Sequence, residues 1–115
     1  MRRGDVYWVD LEPVVGSEAN KVRPAVLVSN DAANRAALRA GAGVVTVVPL
    51  TSSLGRVLPF QVLVPAAESG LPDDSKAQAE QVRSLSATRL GEREGCLQRA
   101  TLEAVDEALR LHLAL

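Results

Sequence analysis

The chain has one cysteine, one histidine and three aromatic residues in 115 positions, and each scarcity excludes something. With Cys96 alone, no intrachain disulfide can form and no zinc site can rest on thiolates. With His112 alone, a scheme needing two imidazoles from one chain is excluded, and so is a metal site with two histidines from one protomer. Tyr7, Trp8 and Phe60 are too few for a platform that stacks successive bases. No apolar run approaches the ~18 residues of a membrane span. The start, Met1-Arg2-Arg3-Gly4-Asp5, is not followed by an apolar leader region, so a cytoplasmic protein without a membrane partner is expected. A large charge of one sign is also lacking, the net charge being −1. Residues 1–60 carry seven Lys and Arg against five Asp and Glu, and residues 61–115 six against nine. The N-terminal surplus is too small to hold a nucleic acid by counterion release alone. Any such partner would have to be held through particular phosphates and bases.

What is present is an ordinary globular composition, 47% hydrophobic and 23% charged. A single domain spanning 1–115 is expected, burying roughly 65% of its unfolded surface. Gly4 to Leu11 reads as a strand, with Val6 and Trp8 on one face and Tyr7, Val9 and Leu11 on the other. Glu12 to Lys21 reads as a loop with Gly16 as its flexible point. Pro24–Ser29 and Val44–Leu50 are strongly apolar strands, separated by a short helix that Asn30 or Asp31 can cap and that Gly41 and Gly43 end. Phe60–Val64 is a fourth strand, and the alternation over Lys76–Leu85 predicts a fifth. A helical turn is expected around Ala87–Leu90. From about Arg99, Leu102, Val105, Leu109 and Leu113 recur at helical spacing, which predicts a C-terminal amphipathic helix. The fold class is therefore α+β, mainly β: a small, strongly twisted antiparallel sheet with a barrel-like core and two or three helices.

Six segments in order resemble the MazF/PemK toxin family. They are Arg3-Gly4-Asp5-Val6-Tyr7-Trp8-Val9-Asp10-Leu11, Gly16-Ser17-Glu18, Arg23-Pro24-Ala25-Val26-Leu27-Val28-Ser29, Val48-Pro49-Leu50-Thr51-Ser52, Glu80-Gln81-Val82-Arg83-Ser84 and Val105-Asp106-Glu107-Ala108-Leu109. The resemblance implies a homodimeric, barrel-like toxin that cleaves single-stranded RNA, usually messenger RNA, and a MazE-like antitoxin that inhibits it with an acidic tail. With no metal-holding constellation in the sequence, neither a cofactor nor a metal is expected. Cleavage would proceed by attack of the 2′-hydroxyl, leaving a 2′,3′-cyclic phosphate and a 5′-hydroxyl.

The resemblance places a catalytic arginine at Arg23, and a guanidinium suits that role because it stays charged and can hold two phosphate oxygens. Thr51 is matched as a second catalytic group, its hydroxyl able to donate to a phosphate oxygen or to cap a turn. Glu80 is expected as a proton acceptor, although a substrate-assisted route stands beside it. Ser17, Glu18, Ser52, Gln81 and Arg83 are expected to contact RNA, with Gln81 reading base edges through its amide. Trp8 is read as core or dimer interface, Cys96 as a small filler, and His112 as a packed or surface side chain. Two other functions remain open. One is a gyrase poison like the related CcdB toxins, which act through a C-terminal tryptophan where this sequence reads Leu113-Ala114-Leu115. The other is a non-catalytic RNA-binding barrel.

Overall fold

The computed structural model describes residues 1–11 and 22–115. The expected loop over Glu12 to Lys21, with Ser17 and Glu18, lies outside them. Along the chain run β1 (Asp5–Asp10), β2 (Val22–Leu27), α1 (Asp31–Ala40), β3 (Val44–Thr51), β4 (Gln61–Val64) and α2 (Ala66–Ser69). There follow β5 (Ser75–Gln78), a 3-10 turn (Ala79–Gln81), β6 (Arg83–Ser86), a second 3-10 turn (Ala87–Arg89), β7 (Leu90–Cys96) and α3 (Arg99–Leu113). The described strands form one antiparallel sheet in the order β4-β5-β3-β2-β1-β7, with β6 also paired to β3. The expected antiparallel α+β architecture is present. Its sheet is open rather than closed, with β4 and β7 at the two ends of the path.

The central strands are apolar because both of their faces are covered. On one face Val26, Val48 and Leu50 join Val6, Val64 and Ala77 beneath Leu102, Val105 and Leu109 of α3. On the other, Ala25, Leu27, Val45 and Val47 join Val9 and Leu11 beside Ala37 of α1. Even and odd positions of β2 and β3 thus serve different cores, as the two-residue period requires. Each of these fully buried Val and Leu side chains contributes about 1.5–3 kcal/mol. Asn30 caps α1 by accepting from the Ala33 amide at 2.8 Å, and Gly41 ends it in the left-handed region at φ 66°. Arg3 ties α3 to the sheet, donating to the Val28 carbonyl at 2.8 Å and pairing with Asp106 at 2.5 Å. Leu113, expected on the buried stripe of α3, is 49% exposed.

Two elements depart from the expected strands. The fifth strand, expected over Lys76–Leu85, is broken into β5, a turn and β6. Leu50 faces Ala77 while Val47 faces Arg83, so three steps along β3 are matched by six on the opposing chain. The three surplus residues are extruded as the Ala79–Gln81 turn, closed by the Val82 amide on the Ala79 carbonyl at 3.1 Å. The other departure is β7, which pairs with β1 through two register irregularities. Its segment Leu-Gly-Glu-Arg-Glu-Gly-Cys carries no apolar alternation because it is an edge strand with Glu92 and Arg93 exposed. Gly95 is required there: a Cβ on it would overlap the Ser69 backbone at the end of α2.

Candidate active site

Two prolines open the sheet where the site lies. The β2–β3 ladder pairs Leu27 with Val47, Val26 with Val48 and Ala25 with Pro49, and ends there. Neither Pro24 nor Pro49 has an amide hydrogen to extend it. Continued two steps, the same register would set Arg23 opposite Thr51. Instead both residues line an open cleft of about 260 Å³. β2 contributes Val22, Arg23 and Pro24; β3 and its continuation contribute Leu50, Thr51 and Ser52; β1 contributes Trp8. The remaining wall is Leu71-Pro72-Asp73 with Ser75 at the start of β5.

The polar groups of this cleft are poised rather than paired. Arg23 is half-buried, and its guanidinium makes no hydrogen bond or ion pair with a described residue. A partly desolvated cation without a counter-charge favours an anion. The Thr51 hydroxyl accepts from the Ser53 amide at 3.2 Å, which leaves its own hydrogen free to donate. Both expectations for Thr51 are thus compatible, since its hydroxyl closes a turn and the residue lines the cleft. Asp73 is exposed and makes no hydrogen bond or ion pair with a described residue, whereas its neighbour Asp74 accepts from the Ala66 amide at 2.8 Å. Among the described residues no three or more His, Cys, Asp or Glu side chains are grouped so as to hold a metal ion.

A family model described as the PemK-like, MazF-like toxin of type II toxin–antitoxin systems matches residues 2–113. The chain belongs to this toxin family. It is 56% identical, over its whole length and 98% of the relative, to "Endoribonuclease MazF9" of Mycobacterium tuberculosis. It is 38% identical to "Endoribonuclease EndoA" of Bacillus subtilis, over its whole length and 96% of that protein. Among solved structures, a mycobacterial endoribonuclease in complex with its cognate antitoxin superposes with a TM-score of 0.77 at 28% identity, covering all of this chain and 96% of the other. No helix among the described residues is long and apolar enough to cross a membrane.

Within this MazF-like chain, the residues expected at the site fall into two groups. Arg23, Thr51 and Ser52 share the cleft. Glu80, Gln81 and Arg83 do not line it. Glu80 accepts from Gln61 Nε2 at 2.6 Å, and Gln61 Oε1 in turn accepts from the Leu58 amide at 3.0 Å. Gln61 is only 8% exposed, so this relay pins the far end of the loop that begins at Ser52. Lys76 holds the same loop through the Arg56 carbonyl at 2.6 Å. Gln81 and Arg83 are exposed and bonded to each other, Arg83 donating to Gln81 Oε1 at 3.3 Å.

Besides its aliphatic lining, the cleft holds three side chains that were not expected there. Trp8 lines it rather than filling the core, since the even face of β1 passes from Val6 in the core to the opened end of the sheet. Its position in the strand alternation was the available signal. Asp73 and Ser75 follow a Gly-Leu-Pro segment that reads only as a turn. Cys96 is not a filler: it is exposed at the end of the edge strand β7. Partial burial of its sulfur and the neighbouring Asp5 raise its pKa. His112 is exposed, its ring centroid 6.2 Å from that of Phe60.

Proposed function

We propose that this chain is an endoribonuclease toxin that cleaves single-stranded RNA by attack of the RNA's own 2′-hydroxyl, with Arg23 and Thr51 as its catalytic residues. The observation that carries this reading is Arg23: a half-buried guanidinium with no partner among the described residues, in one cleft with a hydroxyl free to donate. The relatives named as endoribonucleases support the reaction class. In the reaction the 2′-oxygen bonds to phosphorus and the bond to the 5′-oxygen breaks. One proton leaves the attacking hydroxyl and another joins the departing oxygen. Negative charge on the phosphoryl oxygens rises in the transition state, so Arg23 and Thr51 bind that state more tightly than the ground state. The cleft orients phosphate and ribose in line. The route uses no metal or cofactor.

Glu80 serves the site through Gln61 and the loop after Ser52. Gln81 and Arg83, exposed and adjacent, are contacts for RNA beyond the cleft, and Ser17 and Glu18 belong to the segment preceding Arg23. The toxin acts in the cytoplasm, where messenger RNA is found. It is a homodimer, supported by the exposed apolar side chains Leu63, Leu111 and Leu113. Its inhibitor is a MazE-like antitoxin, as the neighbour solved with a cognate antitoxin suggests.

The test is Arg23→Ala alongside Thr51→Ala, assayed on a mixed RNA pool with mapping of the new ends. Loss of one transition-state charge costs about 10²–10³ in kcat. We expect that loss for Arg23→Ala, a smaller one for Thr51→Ala, and native folding for both. Wild-type rates in both variants would place the chemistry elsewhere.

A further inference from the structure

The catalytic reading accounts for the polar floor of the cleft but not for its walls. Those include four apolar side chains, Trp8 and Val22 contributed by the strands and Leu71 and Pro72 by the segment before β5. Beside them stands Asp73, an exposed carboxylate without a hydrogen-bond or ion-pair partner among the described residues. A carboxylate beside a phosphate site repels the substrate unless it meets a hydrogen-bond donor. Asp74 has a structural task as acceptor for the Ala66 amide, whereas Asp73 makes no such bond among the described residues. At about 260 Å³ the cleft lies just below the range of pockets for drug-sized ligands, ~300–1,000 Å³, which suits one nucleotide unit.

Resting on the endoribonuclease reading, we propose that this cleft holds one nucleobase of the RNA, stacked on the indole of Trp8 and read by the Asp73 carboxylate, which selects a base bearing an exocyclic amino group and rejects uracil. A carboxylate accepts only. Cytosine N4, adenine N6 and guanine N1 with N2 all offer it donors on the pairing edge. Uracil offers a single N–H between two carbonyl oxygens, both of which the carboxylate repels. An indole stacks on any base, so Trp8 supplies affinity and Asp73 the choice.

Because Trp8 is the only tryptophan, its fluorescence reports this subsite directly. The probes are short RNAs with a 2′-deoxyribose at the cleavage position, differing in one base between uracil and an amino-bearing base. We expect Trp8 quenching with at least tenfold tighter binding of the amino-bearing probe, and Asp73→Asn, whose amide also donates, to narrow that ratio about tenfold. On cleavable RNA, Asp73→Asn should relax the exclusion of uracil at one fixed position and leave the pH–rate profile unchanged. Trp8→Ala should weaken all sequences alike by about 5- to 150-fold, the range of one stacked base. Equal binding of the two probes, or an unchanged cleavage motif in Asp73→Asn, would overturn the proposal. So would a uniform loss of rate in Asp73→Asn together with loss of the acid limb, which would make Asp73 a proton acceptor. A wild-type protein that binds the probes selectively but leaves RNA uncut would instead refute the endoribonuclease reading alone.

Discussion

Replacing Glu80 by glutamine separates two roles that a simple deletion would confuse. The Glu80 carboxylate lies 2.6 Å from Gln61 Nε2, and its other oxygen is buried without a hydrogen-bond partner among the described residues. A glutamine at 80 keeps an acceptor toward Gln61 and exchanges a charged hydrogen bond, about 1.5–3 kcal/mol, for a neutral one of about 0.5–1.5. If the mid-range difference, about 1.3 kcal/mol, reached the reacting centre in full, the rate would fall about tenfold. Glu80→Ala leaves the Gln61 amide unpaired where the residue is 8% exposed, costing about 1–3 kcal/mol, or about 5- to 150-fold. Loss of a general base costs about 10²–10⁴ in either variant and removes the acid limb of the pH–rate profile. Single-turnover cleavage across pH 4–9 decides between them. We expect Glu80→Gln within tenfold of wild type with its acid limb intact. Glu80→Ala and Gln61→Ala should be individually slower and non-additive when combined, as for two members of one relay. A Glu80→Gln variant slowed more than a hundredfold, with no acid limb, would refute the relay and make Glu80 the proton acceptor.

Two further predictions follow from the fold. Arg3→Ala removes bonds to the Val28 carbonyl and to Asp106, and should lower the unfolding free energy by about 1–3 kcal/mol at unchanged urea m-value; a change below about 0.5 kcal/mol would contradict the clamp. Cys96 is exposed, yet its raised pKa leaves less thiolate at any given pH, so alkylation by iodoacetamide at pH 8 should be slower than for free cysteine; an equal or faster rate would show that Asp5 and partial burial do not govern the thiol.

Where both faces of a strand are buried, the residues alone reveal it. β2 and β3 read as apolar runs because their odd and even side chains serve two cores, and α3 reads from Leu102, Val105 and Leu109. β7 was illegible for the opposite reason: an edge strand with two glycines and three charged residues buries too little to leave a pattern. The break after Gln78 was illegible because it depends on β3, whose register admits three surplus residues where the local alternation runs on. At the site, Arg23 and Thr51 were legible from motif. Their meeting in one cleft rests on two prolines in neighbouring strands. Glu80 was expected from the resemblance as a proton acceptor; its hydrogen bond to Gln61, 19 residues earlier, had no signal in the sequence.

The claim on which the account depends is internal attack by the RNA. A single deoxyribose placed 5′ of the scissile phosphate deletes the attacking oxygen and leaves the phosphates and base edges in place. We predict that cleavage at that bond falls to background, that affinity changes little, and that the substituted RNA competes with the all-ribose substrate. Cutting at the substituted bond would contradict internal attack and require water as the nucleophile.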